Sequence, residues 1–345
     1  MQYDALLVVS FGGPESRDEV MPFLEHVLRG KNVPRERMLE VAEHYYHFDG
    51  RSPINQHARE LIVELKAELH THGPQLPIYW GNRNWHPMLA DAVRQMKQDG
   101  VHSALAFVTS AYSSYSGCRQ YREDILRAQA EVGPGAPAIH KIRAFFNHPD
   151  FLGAAQARVS HALSGLPVLA RENFQVIYTA HSIPLSMAST CDYVGQLEEV
   201  RRLISEALAI SNDALVYQSR SGPPGQPWLG PDILDHLRAV KEDRLASGVV
   251  LAPIGFLSDH MEVLYDLDVE ARELCESLGL PMVRAATVGV HPLMIRMVRD
   301  LILERTASAP RLATGMLAPR LDFCAEGCCP APQHPVQGGL TGTPV

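Results

Sequence analysis

Short apolar runs alternate along the chain with longer amphipathic stretches. The runs are continuous rather than alternating in polarity, which is typical of strands covered on both faces by helices. The predicted strands are Ala5–Ser10, Ile78–Trp80, Ala104–Thr109, Gln175–Ala180, Ala214–Gln218 and Val249–Ile254, and the predicted helices include Val20–Arg29, Arg59–His70, His86–Gln98, Glu198–Ala209 and Leu293–Arg305. This alternation predicts an α/β fold made of βαβ units with parallel sheets.

The pattern of strands and helices restarts near the middle of the chain. The segment Asn147-His148-Pro149-Asp150 has the composition of a boundary, and one helix separates it from a new strand near Phe174. We therefore predict two Rossmann-like domains, residues 1–147 and 148–290, with a site between them. In the third part, residues 291–345, we expect a helix that packs back on the body and then a tail rich in Pro, Gly and Cys.

Acidic residues cluster after the last predicted strand. Asp259, Glu262, Asp266 and Glu270 recur at helical spacing, so we expect them on one face of a helix. Like charges one turn apart weaken an isolated helix, and this favours a cation-handling role at the end of the strand. The alternative is a solvated acidic face. His260 lies beside the cluster, and imidazole together with carboxylate can bind a first-row metal and move protons.

A second candidate residue ends another predicted strand. His181 directly follows Gln175–Ala180. Ligands of open α/β sheets lie at the carboxyl ends of the strands, so His181 should project into the same crevice as Glu262. On its own, however, a histidine at this position is more often a structural turn residue.

Composition and charge narrow the classes of function. With 345 residues, 46% hydrophobic and 20% charged, the chain is expected to be a well-cored soluble protein. We expect it in the cytoplasm without stable membrane insertion, because no apolar stretch reaches the ~18 residues of a spanning helix and the N-terminus lacks the basic flank of a signal peptide. A formal net charge of −8 argues against nucleic acid as the main partner.

A glycine pair follows the first predicted strand. Gly12 and Gly13 lack the G-x-G-x-x-G spacing, so a nucleotide cofactor is not supported. The pair indicates either the close approach of a flat or bulky ligand or a tight turn.

Several motifs together resemble one known family. SFGGPE begins at Ser10, GRSPIN at Gly50, TAHSIP at Thr179 and GFLSDHMEVLYDLD at Gly255. In their order and spacing they resemble ferrochelatases, specifically the actinobacterial type regarded as coproporphyrin ferrochelatases, and the resemblance runs from Leu6 to the cysteine tail. The resemblance implies a chelatase fold with two similar α/β domains. It also implies a lyase that inserts ferrous iron into a porphyrin bound in the cleft between these domains.

The resemblance also implies the catalytic residues. His181 matches the family's metal-binding histidine and Glu262 its partner carboxylate. A neutral His181 would bind Fe²⁺ or accept a pyrrole proton, and Glu262 would bind the incoming ion or remove protons. Asp266 and Glu270 would form a ladder, one turn apart, for iron or protons. A hydrated acidic stripe remains the alternative for these two carboxylates.

Three further residues are implied for porphyrin binding. Ser52 and Tyr121 match positions that contact the tetrapyrrole in family members, and Arg29 aligns with a propionate-binding arginine of the Gram-positive enzymes. A guanidinium fork suits a carboxylate. Without the resemblance, Ser52 would be interpreted as a turn residue and Arg29 as a cation at the end of a helix.

The chain departs from the family pattern at two positions. Phe11 stands where Firmicute enzymes carry a tyrosine that ligates the product iron, so axial ligation must come from the opposite face or from water. Asn84 replaces a tyrosine of the animal enzymes, which leaves the role of Arg83 open.

The six cysteines are not expected to form disulfides in a cytoplasmic protein. Cys118 lies where related iron–sulfur ferrochelatases place a ligand, so the resemblance implies a [2Fe–2S] cluster that fastens the tail to the first domain. The implied ligands are Cys118, Cys324, Cys328 and Cys329. The alternatives to the cluster are a zinc ion bound by these cysteines or thiols without a ligand. Binding of a metal by the cysteines is the only source of order that the sequence indicates for the tail. Cys191 and Cys275 have helical surroundings and are expected to be inert.

The leading hypothesis is insertion of Fe²⁺ into coproporphyrin III, with protoporphyrin IX as the alternative substrate. A chain without a membrane anchor suits the more water-soluble, four-propionate porphyrin better, although peripheral membrane contact is left open. A second class is a non-catalytic porphyrin or haem carrier with an iron–sulfur sensor. The combination of His181 with the acidic ladder disfavours it, because a carrier needs no proton acceptor. Transient contact with neighbouring haem-pathway enzymes is also left open.

Overall fold

The computed structural model describes residues 3–30, 33–222 and 225–331. The strands are β1 (Ala5–Ser10), β2 (Ile78–Asn82), β3 (Ser103–Val108), β4 (Ala138–Lys141), β5 (Phe174–His181), β6 (Asp213–Gln218), β7 (Gly248–Ala252) and β8 (Met282–Arg284). The α-helices are α1 (Arg17–Val27), α2 (Arg35–His47), α3 (Ile54–His72), α4 (Leu89–Gln98), α5 (Gln120–Val132), α6 (Pro149–Gly165), α7 (Leu185–Ala188), α8 (Tyr193–Ala207), α9 (Ile233–Glu242), α10 (Met261–Val263), α11 (Ala271–Leu278) and α12 (Pro292–Thr306). Wider π-helical turns occupy Tyr115–Arg119 and Leu264–Glu270, and a 3-10 turn occupies Val168–Glu172.

The strands form two parallel four-stranded sheets, with the orders β2-β1-β3-β4 and β6-β5-β7-β8. Every residue of β1 and β7 is buried, because helices cover both faces of each sheet. The predicted α/β fold with parallel sheets is therefore confirmed. The sequence patterns missed β4 and β8, which are short strands at the sheet edges and carry no continuous apolar run.

The carboxyl ends of the two sheets face each other across a cleft. Ser10 and Thr109, at the ends of β1 and β3, line one small cavity together with Leu257 and Ser258, which follow β7. Next to it, the buried hydroxyl of Tyr112 donates to the backbone carbonyl of Ile254 at 2.8 Å. Residues from both halves of the chain thus meet where parallel α/β sheets bind ligands.

Helix α12 packs against α3 from the first half and α6 from the second. A buried ion pair fixes its end: the Arg143 guanidinium donates two hydrogen bonds of 2.8 Å to the Glu304 carboxylate. Both side chains are almost fully inaccessible, at 0% and 1% exposed. Removing either partner would leave an uncompensated buried charge, so the pair sets the position of α12 firmly. The predicted domain division at residue 147 and the separate part from residue 291 stay predictions.

Residues 307–331, which we call the strap, run over the body without regular structure. Asn147 accepts a hydrogen bond from the Thr314 amide at 2.8 Å and donates one to the Leu317 carbonyl at 2.6 Å. The Met316 amide donates to Glu199 on α8 at 2.5 Å. Gly315 lies so close to α8 that an added Cβ would come within 2.1 Å of the Glu199 carboxylate, and its φ of +91° also favours glycine.

These tethers correct one expectation about the tail. Hydrogen bonds that need no metal hold the strap in place around residues 314–317, so ligation is not its only source of order. The rest of the predicted tail, after residue 331, lies outside the described residues. Within the described ranges, none of the helices is both long and apolar enough to cross a bilayer.

Candidate active site

His181 is the last residue of β5 and lies beside Gln218, the last residue of β6. Its ring nitrogen Nδ1 is 2.5 Å from the carbonyl oxygen of Ser182. A carbonyl can only accept, so Nδ1 carries a hydrogen, and in the neutral form of the ring the lone pair is on Nε2. That nitrogen is free to bind a metal ion or take a proton.

Glu262 provides the partner of this lone pair. The distance from His181 Nε2 to Glu262 Oε2 is 3.5 Å, and the side chains are 32% and 50% exposed. This separation is long for a hydrogen bond. Two donors that each lie about 2.1 Å from one first-row ion in tetrahedral geometry are about 3.4 Å apart, so the pair is spaced to share an ion. Two protein ligands would leave the other coordination positions of that ion open.

The acidic cluster lies on one continuous helix, residues 261–278, formed by α10, the π-helical segment and α11. We call it the acidic helix. Carboxylates four residues apart are separated by about one helical turn, so they lie along one side of this helix. Glu262, Asp266 and Glu270 have this spacing.

The prediction that Asp259 shares this face is wrong. Asp259 precedes the helix, and its carboxylate accepts two hydrogen bonds of 3.1 Å from Arg284 at the end of β8. His260, which the sequence placed beside the acids, packs edge-on against the Phe256 ring at 4.9 Å, and burial lowers its pKa.

Asp266 has the most altered acidity on the acidic helix. Protein surrounds most of its carboxylate, and this burial raises its pKa to about 7, with Glu262 and Glu270 adding to the effect. Hydrogen bonds from Ser219 and from Gln218, the latter at 3.2 Å, act in the opposite direction. A carboxyl group that titrates near neutral pH can both take up and release a proton.

Gln218 and Ser219 are site residues that the sequence analysis missed. Gln218 also donates to the backbone carbonyl of Glu262 at 3.4 Å, so it contacts two turns of the acidic helix. Ser219 has a φ of +62°, an uncommon conformation for serine that aims its hydroxyl at Asp266. The rule that found His181, a polar residue at the carboxyl end of a strand, would also have found Gln218.

On the opposite side of the cleft, Arg83 makes the main contacts. Its guanidinium lies 4.6 Å from the centre of the Tyr121 ring and 5.7 Å from that of Phe11, and Nε is 2.8 Å from Asp124. These contacts hold the Arg83 side chain in place without a tyrosine at position 84. Tyr121 is only 5% exposed, and the Arg83 side chain that stacks on it is 6% exposed.

Ser52 and Arg29 lie in different environments. Ser52 is buried, and its amide donates to the Pro14 carbonyl at 2.9 Å. An added Cβ on Gly13 would come within 2.8 Å of the Ser52 Cβ, so this glycine permits tight packing between loops. Arg29 is exposed just after α1 and makes no ion pair within the described part of the chain.

The four predicted cluster ligands come from two separate segments. Cys118 is buried in the π-helical turn before α5, and the Sγ atoms of Cys328 and Cys329 are 3.6 Å apart. Arg119 joins the segments, because it donates to the carbonyl oxygens of Glu326 and Cys328 at 3.4 and 3.3 Å.

The thiols also influence one another. A hydrogen bond with Cys118 lowers the pKa of Cys324 to about 7, with Lys141 contributing. Cys191 lies in the turn before α8 rather than in a helix, and it adds to the raised pKa of Cys329, which is mainly an effect of burial. Nevertheless, nowhere in residues 3–30, 33–222 and 225–331 do three or more His, Cys, Asp or Glu side chains stand in positions that would hold a metal ion.

Comparison with known proteins finds similar chains that share one family. The model of the ferrochelatase family matches residues 3–306. A ferrochelatase of Rhodopirellula baltica is 52% identical, over 99% of this chain and 97% of its own. The coproporphyrin III ferrochelatase of Streptomyces coelicolor is 48% identical, over 95% and 94%, and that of Nocardia farcinica 45%, over 98% and 100%.

Solved structures agree at the level of fold. SirB from Bacillus subtilis, solved with Fe³⁺, aligns with a TM-score of 0.59 over 89% of this chain and 97% of its own, at 12% identity. At that identity the likeness supports the chelatase fold alone. The family model covers most of the chain and the relatives cover nearly all of it, so the chain belongs to the ferrochelatase family.

Proposed function

We propose that this ferrochelatase acts on coproporphyrin III and produces its iron complex. The observation that carries the catalytic assignment is the His181–Glu262 pair, spaced at 3.5 Å in the cleft between the two sheets. The names of the relatives from Streptomyces coelicolor and Nocardia farcinica support the choice of porphyrin.

Metallation replaces two pyrrole protons by one Fe²⁺ ion, so the site must deliver a cation and remove two protons. In the proposal, His181 Nε2 and Glu262 hold the incoming ion and leave its remaining positions to the pyrrole nitrogens. As the Fe–N bonds form, both pyrrole N–H bonds break, and nearby bases receive the protons. Glu262 is the first carboxylate available to them.

Asp266 and Glu270 extend this path along the acidic helix. Asp266 titrates near neutral pH, so it can accept a proton from the site and pass it on. Glu270, four residues further, is exposed, and its raised pKa, mainly an effect of lost hydration, suits it to the last step before solvent. Gln218 and Ser219 position the Asp266 carboxylate.

Porphyrin binding is assigned to the other side of the cleft. Arg29 is proposed to pair with a propionate, since its guanidinium is exposed and a planar fork matches a carboxylate. Ser52 would contact the tetrapyrrole from the loop that packs on Gly13. Tyr121 would act through Arg83, which stacks on its ring.

The choice of substrate can be tested directly. We expect a higher kcat/KM for coproporphyrin III than for protoporphyrin IX, because two additional propionates offer more sites for cationic anchors such as Arg29. The assay would be anaerobic, with Fe²⁺ and the same detergent for both porphyrins, so that aggregation does not imitate selectivity. A higher kcat/KM for protoporphyrin IX would contradict the proposed substrate. If neither porphyrin were turned over, the alternative of a non-catalytic porphyrin or haem carrier would be favoured.

The tail cysteines are proposed to hold a [2Fe–2S] cluster. The two segments that carry them are joined by Arg119 and by the hydrogen bond between Cys118 and Cys324, and four thiolates are the donor set that such a cluster requires. The proposed ligands are Cys118, Cys324, Cys328 and Cys329. When bound, the cluster would serve as a structural fastening between the strap and the turn before α5.

Replacing Cys118 by Ser should therefore lower the iron and acid-labile sulfide content and destabilise the protein, since binding and local folding are coupled. Cys275→Ser, which changes a buried thiol within the acidic helix, is the matched control, and Cys191→Ser should also retain the cluster. Metal analysis and the dithionite-bleached visible spectrum provide the measurement. Zinc in the purified protein, or full iron occupancy in Cys118→Ser, would refute this ligand set.

The effect on the strap should be local. Its tethers to Asn147 and Glu199 are independent of the thiols, so loss of the cluster should expose the chain near Glu326 and leave Arg320 protected. Limited proteolysis would measure the two positions independently, because a glutamate-specific protease cleaves after Glu326 and trypsin cleaves after Arg320.

A further inference from the structure

Two buried tyrosines each donate a hydrogen bond to the backbone of a segment that carries the catalytic pair. Tyr193, the first residue of α8, donates from its hydroxyl to the carbonyl oxygen of His181 at 3.1 Å. Tyr112, which follows β3, donates to the carbonyl oxygen of Ile254 at 2.8 Å. Ile254 lies in the connection between β7 and the acidic helix, which carries Glu262. One tyrosine therefore holds His181 itself, and the other holds the approach to Glu262.

The two tyrosines also contact each other. Their rings meet edge-on, with centroids 6.0 Å apart and an angle of 86° between the planes, a geometry that aromatic pairs prefer. Tyr112 is 2% and Tyr193 6% exposed, and burial raises the pKa of both hydroxyls. Both hydroxyls therefore keep their protons and remain donors at neutral pH. A continuous link runs from the His181 carbonyl through the two rings to the Ile254 carbonyl.

The pairing of β5 with β7 ends before it reaches the site. Its last partners are Tyr178 and Ala252, three residues before His181. His181 itself is paired with Gln218 of β6, on the side away from β7. The hydroxyl of Tyr193 therefore supplies a hydrogen-bond partner to the backbone where β7 no longer does.

A second set of buried hydrogen bonds fixes the two tyrosines relative to each other. Gln196, one turn after Tyr193 on α8, accepts a hydrogen bond from the Ser113 amide at 2.8 Å and donates one to the Ser113 hydroxyl at 3.0 Å. Ser113 directly follows Tyr112, and Gln196 is 1% exposed. The segment after β3 and the start of α8 are thus joined beside the tyrosine pair.

We propose that Tyr112 and Tyr193 form a spacer that sets the separation of His181 and Glu262, so that the pair fits one iron ion. Both tyrosines are positioning residues, because they act through the backbone of the segments that carry the two donors. The donor atoms are 3.5 Å apart. Removal of a group that orients a metal ligand typically lowers metal affinity or activity by about 10- to 100-fold. The spacer rests on the proposed roles of His181 and Glu262.

The spacer is tested by removing one hydroxyl at a time. We expect Tyr193→Phe and Tyr112→Phe each to lower kcat/KM for Fe²⁺ by about 10- to 100-fold, because the ring packing stays while the segment loses its anchor. The KM for the porphyrin should stay close to that of the wild type, since the spacer acts on the iron donors. Anaerobic steady-state kinetics, with Fe²⁺ and porphyrin varied separately, would measure both constants with coproporphyrin III and with protoporphyrin IX.

Tyr178→Phe provides the matched control. The Tyr178 hydroxyl lies 2.9 Å from that of Ser205, so this tyrosine also joins β5 to α8 by a buried hydrogen bond. Its partner is a side chain on α8 rather than the backbone of a catalytic segment. Tyr178→Phe should therefore lower thermal stability about as much as Tyr193→Phe and leave both kinetic constants unchanged.

The double variant Tyr112→Phe/Tyr193→Phe distinguishes one spacer from two independent contacts. If the tyrosines set one distance, loosening either end already releases it. The double variant should then lose less activity than the product of the two single losses. Losses that multiply would overturn the spacer.

An unchanged kcat/KM for Fe²⁺ in both single variants would also overturn the spacer, as would an equal loss in Tyr178→Phe. Failure of the catalytic pair has a different signature: His181→Ala would retain iron insertion, and the spacer would then be refuted together with the pair. If His181→Ala is inactive while Tyr112→Phe and Tyr193→Phe are unaffected, the pair stands and the spacer alone is wrong.

Discussion

His181→Ala should reduce kcat/KM for iron insertion by about 10²- to 10⁴-fold, the range typical of losing a positioned acid–base group. The substitution removes the Nε2 lone pair that faces Glu262 at 3.5 Å, and with it the nitrogen ligand of the two-donor site. Iron insertion would be followed anaerobically by the change in the porphyrin absorption spectrum. The side chain is one-third exposed at a strand end, so the fold should tolerate its loss.

The control for this variant is His102→Ala. His102 is 92% exposed and precedes β3, so it lies at the opposite edge of the sheet from the cleft. Its substitution should change neither activity nor thermal stability. Porphyrin affinity, measured without iron, should be nearly the same in both variants. Appreciable turnover by His181→Ala, with an unchanged fold, would contradict the assignment.

Local sequence patterns indicated both members of the central pair, and the family resemblance implied their roles. Continuous apolar runs predicted six of the eight strands found among the described residues, and His181 and Glu262 were both expected near the carboxyl ends of strands. The structure brings them within 3.5 Å, although 80 positions separate them in the sequence. The reason is topological: β5 and β7 are neighbours in one parallel sheet, and their carboxyl ends lie on the same edge.

Partners distant in sequence could not be predicted in the same way. Asp259 fits the spacing of the acidic residues, but it forms hydrogen bonds with Arg284 instead of lying on the acidic helix. Arg284 is the last residue of β8, a three-residue strand that is too short to recognise from the sequence pattern. Order in the strap depends on Asn147 and Glu199, and neither residue carries a local signal for that role. The spacing of residues along the sequence shows which side chains can share a helical face. Whether a given carboxylate lies on that face also depends on the oppositely charged side chains around it.

The contacts across the cleft illustrate the same limit. His44 and Tyr265 each look like an unremarkable helical residue in the sequence, and only the packing of α2 along the acidic helix makes them a stacked pair. Similarly, no local pattern indicates that the Arg83 guanidinium lies against the Tyr121 ring. A role that depends on what covers a residue requires the tertiary structure.

Glu262→Gln should lower kcat by about 10²-fold or more and leave the affinity for the free porphyrin nearly unchanged. The amide retains the shape of the side chain, but it cannot accept a pyrrole proton, and it is a weaker ligand for Fe²⁺ than a carboxylate. Because the Glu262 side chain is half exposed, the free energy of unfolding should change little. Steady-state kinetics with varied porphyrin and varied Fe²⁺ would separate a loss of kcat from a loss of binding.

Glu276→Gln provides the matched control, because Glu276 is exposed on the same helix beyond the ladder of Glu262, Asp266 and Glu270. The two variants remove the same charge, so a general electrostatic effect of the acidic helix would lower both activities alike. A specific role predicts a loss in Glu262→Gln alone, since only that carboxylate faces the His181 lone pair. If kcat is unchanged in Glu262→Gln, the carboxylate belongs to a solvated acidic face and the two-donor site is wrong.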